Sequence, residues 1–329
     1  MNPEEFVSGV LPSPPDPRDF TIYMACKALG KEPEKTYPKK VLIPYPGKVY
    51  NQGNIGACVA YSIKEERMTS EYRQTGKLLE FSEGFHYAER HLSFYEGEGL
   101  VTRDALRTLQ AYGSVLYEDF PYIDHYYNLK NIYAPYAEQL RQKAKPYRIS
   151  SYFRLDGQDQ NLVNNIKEAL LNDMIVLVCI DVYESFFRVG KDGIAPIPNT
   201  SKEKNYGGHC MVIFGADDDA ANGKGAFIVL NHWGEEWGDK GWCYMPYNFP
   251  IREAWALSDK IDADLIKLQQ MFQDADQISP WARSYVEEAV RLGLMVGDGK
   301  VFNPQGNFTR EQAATVLVKL YRMFKDKLG

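Results

Sequence analysis

The chain has 329 residues, a length that favours about two domains. With 44% apolar and 25% charged residues, its composition is that of an ordinary globular protein with room for sizeable cores. A net charge of −6 and a pI near 5.5 give no electrostatic support to a nucleic-acid partner.

The first residues, Met1-Asn2-Pro3-Glu4-Glu5-Phe6, carry acids where a secretory leader has bases, and no apolar run follows. No export signal is recognisable, and synthesis in the cytoplasm is expected. Residues 1–45 read as a proline-rich arm, with Pro12, Pro14, Pro15 and Pro17 close together and Pro33, Pro38 and Pro44 behind them. Proline removes backbone donors and disfavours helix in the residue before it, so the arm reads as mostly extended. A structural strap across the surface is the first expectation for it; a segment that covers a cleft is the second.

Next comes Asn51-Gln52-Gly53-Asn54-Ile55-Gly56-Ala57-Cys58-Val59-Ala60-Tyr61-Ser62, followed directly by the helix-forming run Ile63–Met68. A helix N-terminus carries unpaired N–H groups and a partial positive charge, which favour thiolate over thiol at Cys58. The amide of Gln52, upstream of Cys58, can point at an oxygen on the carbon that the sulfur attacks. This helix is expected to stop at Gly76. Ser82 reads as the N-cap of a helix through Ala88 to His91. Residues Arg103–Tyr112 read as an amphipathic helix with Leu106 and Leu109 on one face and Gly113 at its end. Tyrosines then cluster from Tyr117 to Tyr152, a composition suited to a packed surface or a peptide cleft.

From about Tyr147 the pattern changes. Ile149–Leu155 reads as a strand, Asn161–Asn172 as a helix and Ile175–Val182 as a buried strand. The apolar block Met174–Ile180 is far too short to span a bilayer, so no membrane span is expected. His209–Gly215 and Ala226–Asn231 read as two more strands, joined by a turn-rich loop whose acids do not follow a calcium-loop pattern. A helical half followed by a β half, with a cleft between them, is an α+β layout. The cysteines Cys26, Cys58, Cys179, Cys210 and Cys243 are widely spaced with no C-x-x-C, against a disulfide framework and a structural zinc site. His86, His91 and His125 share no metal-like spacing. No metal and no cofactor are expected.

If the last two strands pair through their loop, His209 and Asn231 meet. The asparagine oxygen can then accept the imidazole N–H, and the other ring nitrogen faces Cys58, an arrangement of nucleophile, base and orienter. Gln52…Cys58-Val59-Ala60-Tyr61-Ser62, Gly208-His209 and Asn231-His232-Trp233-Gly234…Trp237-Gly238…Gly241-Trp242 resemble the three signature blocks of the papain/cathepsin cysteine peptidases, in that family's order. The spacing from Cys58 to His209 is close to the range of that family. Ser82 and the segment Leu100–Tyr122 resemble its bacterial members. The resemblance covers residues 46–258 and implies a helical left lobe and a β right lobe. It implies Cys58 as nucleophile, His209 as general base and then acid, Asn231 as orienter, Gln52 with the Cys58 N–H as oxyanion hole, and Trp233 as a shield over the Asn231–His209 bond. A protein or peptide substrate follows. Ile55 stands where secreted members often have a disulfide cysteine, His232 where serine is common and Cys210 where alanine is common. The long helical pro-segment of the secreted enzymes has no counterpart.

Residues 259–271 read as a linker and 272–329 as a separate, small all-α module. Ser279-Pro280 starts one helix, and Thr309 caps another whose face is Ala313, Val316, Leu317 and Leu320. Trp281-Ala282, Ala289-Val290, Gly293-Leu294, Gly297, Phe302-Asn303-Pro304 and Thr309-Arg310 resemble one S-layer homology module. That family binds cell-wall polysaccharide of bacterial surfaces, which implies Trp281 and Arg310 as ligand residues: a ring to stack on a sugar and a guanidinium for an acid. One module per chain, in a family that clusters in threes, implies a homotrimer or docking on another protein's modules. The whole reads as a bacterial or phage-borne peptidase acting at a cell surface or carried on a virion. A catalytically idle binding domain and a hydrolase of cell-wall peptides are the alternatives.

Overall fold

The computed structural model describes residues 1–16, 19–90, 97–157 and 159–328. Pro17 and His91, both used above, lie outside the described residues. Two compact units divide the chain, Met1–Ile261 and Asp262–Gly329.

In the first unit the arm is built into the fold. It contributes strand β1 (Val10–Leu11), helix α1 (Ile22–Ala28) and strand β2 (Lys40–Leu42). Thr21 caps α1 by accepting from the Met24 N–H. Helix α2 (Cys58–Thr75) follows; it contains neither glycine nor proline and stops where Gly76 turns left-handed at φ 71°. Cys58 to Thr69 are all buried, charged residues included. Burial on every side explains why α2 shows little of the apolar stripe that marks a surface helix. Its charges are paired: the Lys64 ammonium lies 2.7 Å from Glu83, and Arg67 lies 2.8 Å from Asp259.

Helix α3 (Glu83–Ala88) is capped by Ser82, whose Oγ accepts from the Phe85 N–H at 3.0 Å. It ends three residues before His91. A short strand β3 (Leu100–Val101) leads into α4 (Thr102–Tyr112). The tyrosine-rich stretch forms α5 (Tyr126–Tyr133) and α6 (Ala137–Ala144), which bury Tyr126, Leu129, Tyr133 and Leu140. Strand β4 (Ser151–Arg154) and helix α7 (Asp159–Leu171) open the β half.

The later strands are β5 (Ile175–Tyr183), β6 (Asn205–Asp217), β7 (Ala226–Leu230), β8 (Trp242–Pro246) and β9 (Glu253–Ser258). Among the described residues the sheet holds nine strands in the order β3-β1-β6-β5-β9-β4, with β2 and β7 on β6 and β8 on β7. Strand β5 is buried on both faces from Ile175 to Ile180 and reads as a continuous apolar run. Strands β6 and β7 pair from Val212↔Leu230 to Asp217↔Ala226 around a single turn, α8 (Ala220–Gly223). Cys58, Val59 and Ile63 of α2 share one core with Leu177, Cys179, Cys210 and Trp255 of the sheet. The first turn of α2 is therefore buried where helices meet sheet.

The second unit packs α9 (Ala263–Met271), α10 (Arg283–Arg291) and α11 (Arg310–Leu328). Its core is Leu268, Phe272, Ala275 and Ile278, with Val286, Val290 and Phe302 against it. The stretch expected to be a linker thus contains α9, and Leu268 belongs to the core. Thr309 and Gln312 bond reciprocally, Thr309 N–H to Gln312 Oε1 at 2.8 Å and Gln312 N–H to Thr309 Oγ1 at 3.2 Å, which starts α11. Among the described residues, no helix is long and apolar enough to cross a membrane, and no group of three or more His, Cys, Asp and Glu could hold a metal.

Candidate active site

Cys58 is the first residue of α2, behind an Ala57 that supplies no side-chain cap. The helix repeat places Tyr61, Ser62 and Glu65 on the same stripe as Cys58, one and two turns on. His209 lies in β6, the strand against which α2 packs. Its Nε2 is 2.8 Å from Asn231 Oδ1, which leaves Nδ1 without a hydrogen-bond partner. The pairing is a product of the β6–β7 hairpin, because Asn231 is the residue directly after β7.

Gln52 is tied to the same turn. Its N–H donates to the His232 carbonyl at 2.9 Å, Asn51 pairs with Trp233, and the Gly234 N–H donates to the Tyr50 carbonyl at 2.9 Å. The side-chain Nε2 of Gln52 donates to the Ile55 carbonyl at 2.7 Å, beside the Cys58 turn. Trp233 lies over the imidazole, with ring centroids 4.8 Å apart at 33°. Gln52, Cys58, His209, Asn231 and Trp233 are all buried. In the other unit Trp281 is 58% exposed and Arg310 is exposed at the start of α11.

The N-terminal arm fills the space above the thiol. Gly9 lies on Cys58: a Cβ there would collide with Sγ and come within 2.8 Å of the Gly56 carbonyl oxygen. The Gly9 N–H donates to the Gly208 carbonyl at 3.0 Å, and the Leu100 N–H donates to the Gly9 carbonyl at 2.9 Å. Val10 pairs antiparallel with Gly208 and parallel with Leu100, so the arm runs as a strand between β3 and β6. Phe6 seats its ring edge-on against His209, Trp233 and Phe187, with centroids 5.6 to 5.9 Å apart. Farther along, Asp19 ion-pairs with Arg103, and Asp16 lies 3.3 Å from Arg107. The second expectation for the arm, a segment over the cleft, describes residues 6–11.

Burial decides the charge state of this closed arrangement. The Cys58 thiol is pushed up to about 12, chiefly by desolvation. The helix N-terminus was expected to make this thiol acidic; under Gly9, loss of water outweighs that effect. Burial likewise pushes His209 well below its ordinary value, the neighbouring His232 adds to the shift, and the bond to Asn231 opposes it. Thiol and imidazole are both neutral here.

Sequence reading passed over Glu65. Its carboxylate is fully buried and Oε2 lies 3.6 Å from His232 Nδ1. The only signal was its spacing from Cys58 on one helix. Gly9 and Phe6 gave no signal of their own.

Residues 44–253 match the papain family of cysteine proteases. The chain belongs to that family. Residues 272–314 match the S-layer homology domain. An uncharacterised peptidase C1-like protein of Acanthamoeba polyphaga mimivirus is 29% identical over 324 residues, spanning 89% of this chain and 96% of the relative. Procathepsin L of Felis catus is 26% identical over 208 residues, 61% of this chain and 57% of its own length. Among solved structures, xylellain, a cysteine protease from Xylella fastidiosa, superposes with a TM-score of 0.60 at 24% identity, covering 77% of this chain and 96% of that one. At that identity the likeness speaks to the fold, which is papain-like and α+β, with a helical segment at the C-terminus. This papain-family chain has five free, buried cysteines, consistent with the absence of a disulfide partner at Ile55.

Proposed function

We propose that the chain is a cysteine endopeptidase that cleaves peptide bonds through Cys58, His209 and Asn231 and a thioacyl-enzyme intermediate. The observation that carries the reading is the 2.8 Å contact between His209 Nε2 and Asn231 Oδ1, which leaves Nδ1 for the thiol. In the reaction His209 takes the thiol proton, the thiolate attacks the peptide carbonyl, and His209 returns the proton to the leaving amine. Water then releases the acyl group. Gln52 Nε2 and the Cys58 N–H are the proposed donors to the oxyanion. Trp233 keeps water from the Asn231–His209 bond.

Turnover on this reading requires residues 6–11 to leave the cleft. The carbonyl of Gly9 is held by the Leu100 N–H rather than turned to Gln52, so the arm lies in the cleft as a poor substrate.

The S-layer homology domain implies surface or polysaccharide binding. We assign Trp281 and Arg310 to the ligand on the strength of their exposure. Leu317, Tyr321 and Phe324 of α11 are 64%, 66% and 58% exposed, an apolar face suited to a second module, including one from another copy of this chain in a trimer. The tail domain favours cell-wall peptides as a second substrate class.

The test is digestion of a peptide library and of muropeptides by the wild-type chain and by Cys58→Ala. Cleavage by wild type alone supports the reading, and the substrate cut names the class. Equal cleavage by Cys58→Ala, or labelling of that variant by a thiol-directed epoxide, overturns it. Light scattering on the full chain decides the trimer: a monomer removes it.

A further inference from the structure

Behind the candidate triad lies a second acid–imidazole pair that the reaction does not use. His232 and Glu65 are both fully buried, with Nδ1 and Oε2 3.6 Å apart. Neither carboxyl oxygen of Glu65 nor the His232 Nδ1 that faces it has a hydrogen-bond partner, while the Cys210 backbone lies beside the His232 ring. Buried polar atoms are nearly always paired, so three together call for a reason.

His232 is the joint between two parts of the site. Its N–H donates at 2.9 Å to Asn231 Oδ1, the oxygen that also meets His209. Its carbonyl accepts from the Gln52 N–H at 2.9 Å. Where the backbone of His232 sits therefore sets both the orienter of His209 and the amide of Gln52. The ring is the anchor for that backbone: it stacks on Tyr61 with centroids 5.6 Å apart at 25°, lies 5.2 Å from the His209 ring, and turns Nδ1 to Glu65.

From this geometry we infer that Glu65 and His232 are positioning residues, with Glu65 acting as a neutral acid that donates to His232 Nδ1 and fixes the Asn231–His232–Trp233 turn. The inference rests on the proposed Cys58–His209–Asn231 chemistry. At 3.6 Å the contact lies just beyond hydrogen-bond distance, and the tautomer of His232 reads whether the bond is made in solution.

The charge states agree. Burial holds the Glu65 carboxyl well above the usual carboxylate range, with Lys64 opposing, and pushes the His232 imidazole down to about 3, with the Cys210 backbone opposing. The groups facing the pair are few. Lys64 is committed to Glu83 and Glu80, Tyr61 and His209 flank the His232 ring, and the phenols of Tyr45, Tyr50 and Tyr61 feel the Glu65 carboxyl. A neutral His232 matters to the neighbour. A cation 5.2 Å from His209 would oppose the imidazolium that the reaction forms there.

The experiment uses the full chain as wild type, Glu65→Leu and Glu65→Gln. Nitrogen-15 spectra of the histidine rings read the tautomer of His232, and alkylation of Cys58 is followed against pH. We expect a single neutral His232 tautomer in wild type, protonated at Nε2. Glu65→Leu mixes the tautomers and slows alkylation about tenfold, and Glu65→Gln, which keeps a donor, recovers most of both losses with an unmoved pH profile. A Glu65→Leu chain with the wild-type tautomer and rate overturns the inference. So does a Glu65→Gln chain as impaired as Glu65→Leu, because the anion would then be what matters. A Cys58 that stays unlabelled by a thiol-directed epoxide even after residues 1–12 are deleted overturns the peptidase reading instead, while the tautomer spectra of the full chain still judge the Glu65–His232 pair.

Discussion

At the scale of single residues, one bond of ordinary length, from His209 Nε2 to Asn231 Oδ1, holds the candidate base in a dry place, and His209 Nδ1 is left without a partner. On the proposed reading Asn231 orients His209 through their 2.8 Å contact and does nothing covalent, so its loss is a loss of geometry. Asn231→Ala is expected to lower kcat by about 10²-fold with KM little changed, the cost of a misplaced catalytic group. His209→Ala removes proton transfer itself and is expected to cost roughly 10²–10⁴-fold. Steady-state cleavage of a fluorogenic peptide checks both. Equal kinetics for Asn231→Ala and wild type would remove Asn231 from the site.

Buried imidazoles also make stability depend on pH. His86, bonded to Ser114 at 2.6 Å, is pushed down to about 3 by burial and by Arg67, as His232 is by burial. Unfolded histidine titrates near 6.5. From about 6.5 down to about 3 the unfolded chain therefore binds protons that the fold refuses, and stability is lost as pH falls through that window. Glu66 acts in the other direction: burial raises it to about 7, so its contribution weakens as pH rises from the usual carboxylate range towards 7. His86→Gln should keep the Ser114 contact and remove one titration. Its loss of stability between pH 7 and pH 5 is expected to be smaller than that of wild type by about 2 kcal/mol, read from denaturant melts. Identical losses would show that His86 is not held neutral.

Cys58, Gln52, His209 and Asn231 stand out as candidates in the sequence because the proposed chemistry restricts the residue types at each place. Glu65 was not legible. A glutamate inside a helix reads as a solvent-facing residue, and only packing on every side of α2 shows otherwise. Gly9 was silent for the opposite reason: it carries no side chain, and its part in the fold is that nothing projects from it.

At the scale of elements, period and punctuation revealed α2, α4, α7 and β5. They missed α5 and α6, which are short and separated by Pro135. They also missed the partners of the arm. Strand β1 is two residues long, and its pairing with β3 and β6 joins segments about 90 and 200 positions away, which no local pattern encodes. The arm's close fit at Gly9 gives a prediction. Gly9→Val adds atoms where Cys58 Sγ and Gly56 leave no room. Overpacking of about 1–3 kcal/mol would raise the open fraction of the arm about 5- to 150-fold. Alkylation of Cys58 in Gly9→Val should accelerate within that range, while the melting of the unit changes little. An unchanged rate would mean that the arm does not gate the thiol.

At the scale of the whole molecule, composition and periodicity separated a large α+β unit from a small helical tail. The stretch 259–271 reads as a linker in the sequence, yet Leu268 gives α9 a place in the tail's core. Each unit has its own core. A chain of residues 1–261 is therefore expected to fold and to cleave peptide with kcat/KM within about twofold of the full chain, while losing any binding to cell-wall polysaccharide. Retained polysaccharide binding by that piece would take the ligand away from Trp281 and Arg310.

Cys58 is proposed as the nucleophile of a cleft that residues 6–11 of the same chain close. Deleting residues 1–12 empties the cleft and keeps Asp16 and Asp19 on their arginines. Labelling by a thiol-directed epoxide, mapped by mass spectrometry on the full chain and on this deletion, measures the claim directly. One label per chain is expected, on Cys58, acquired faster by the deletion and absent from Cys58→Ala. No label on Cys58 in the deletion, or labelling at the same rate with and without residues 1–12, would contradict it.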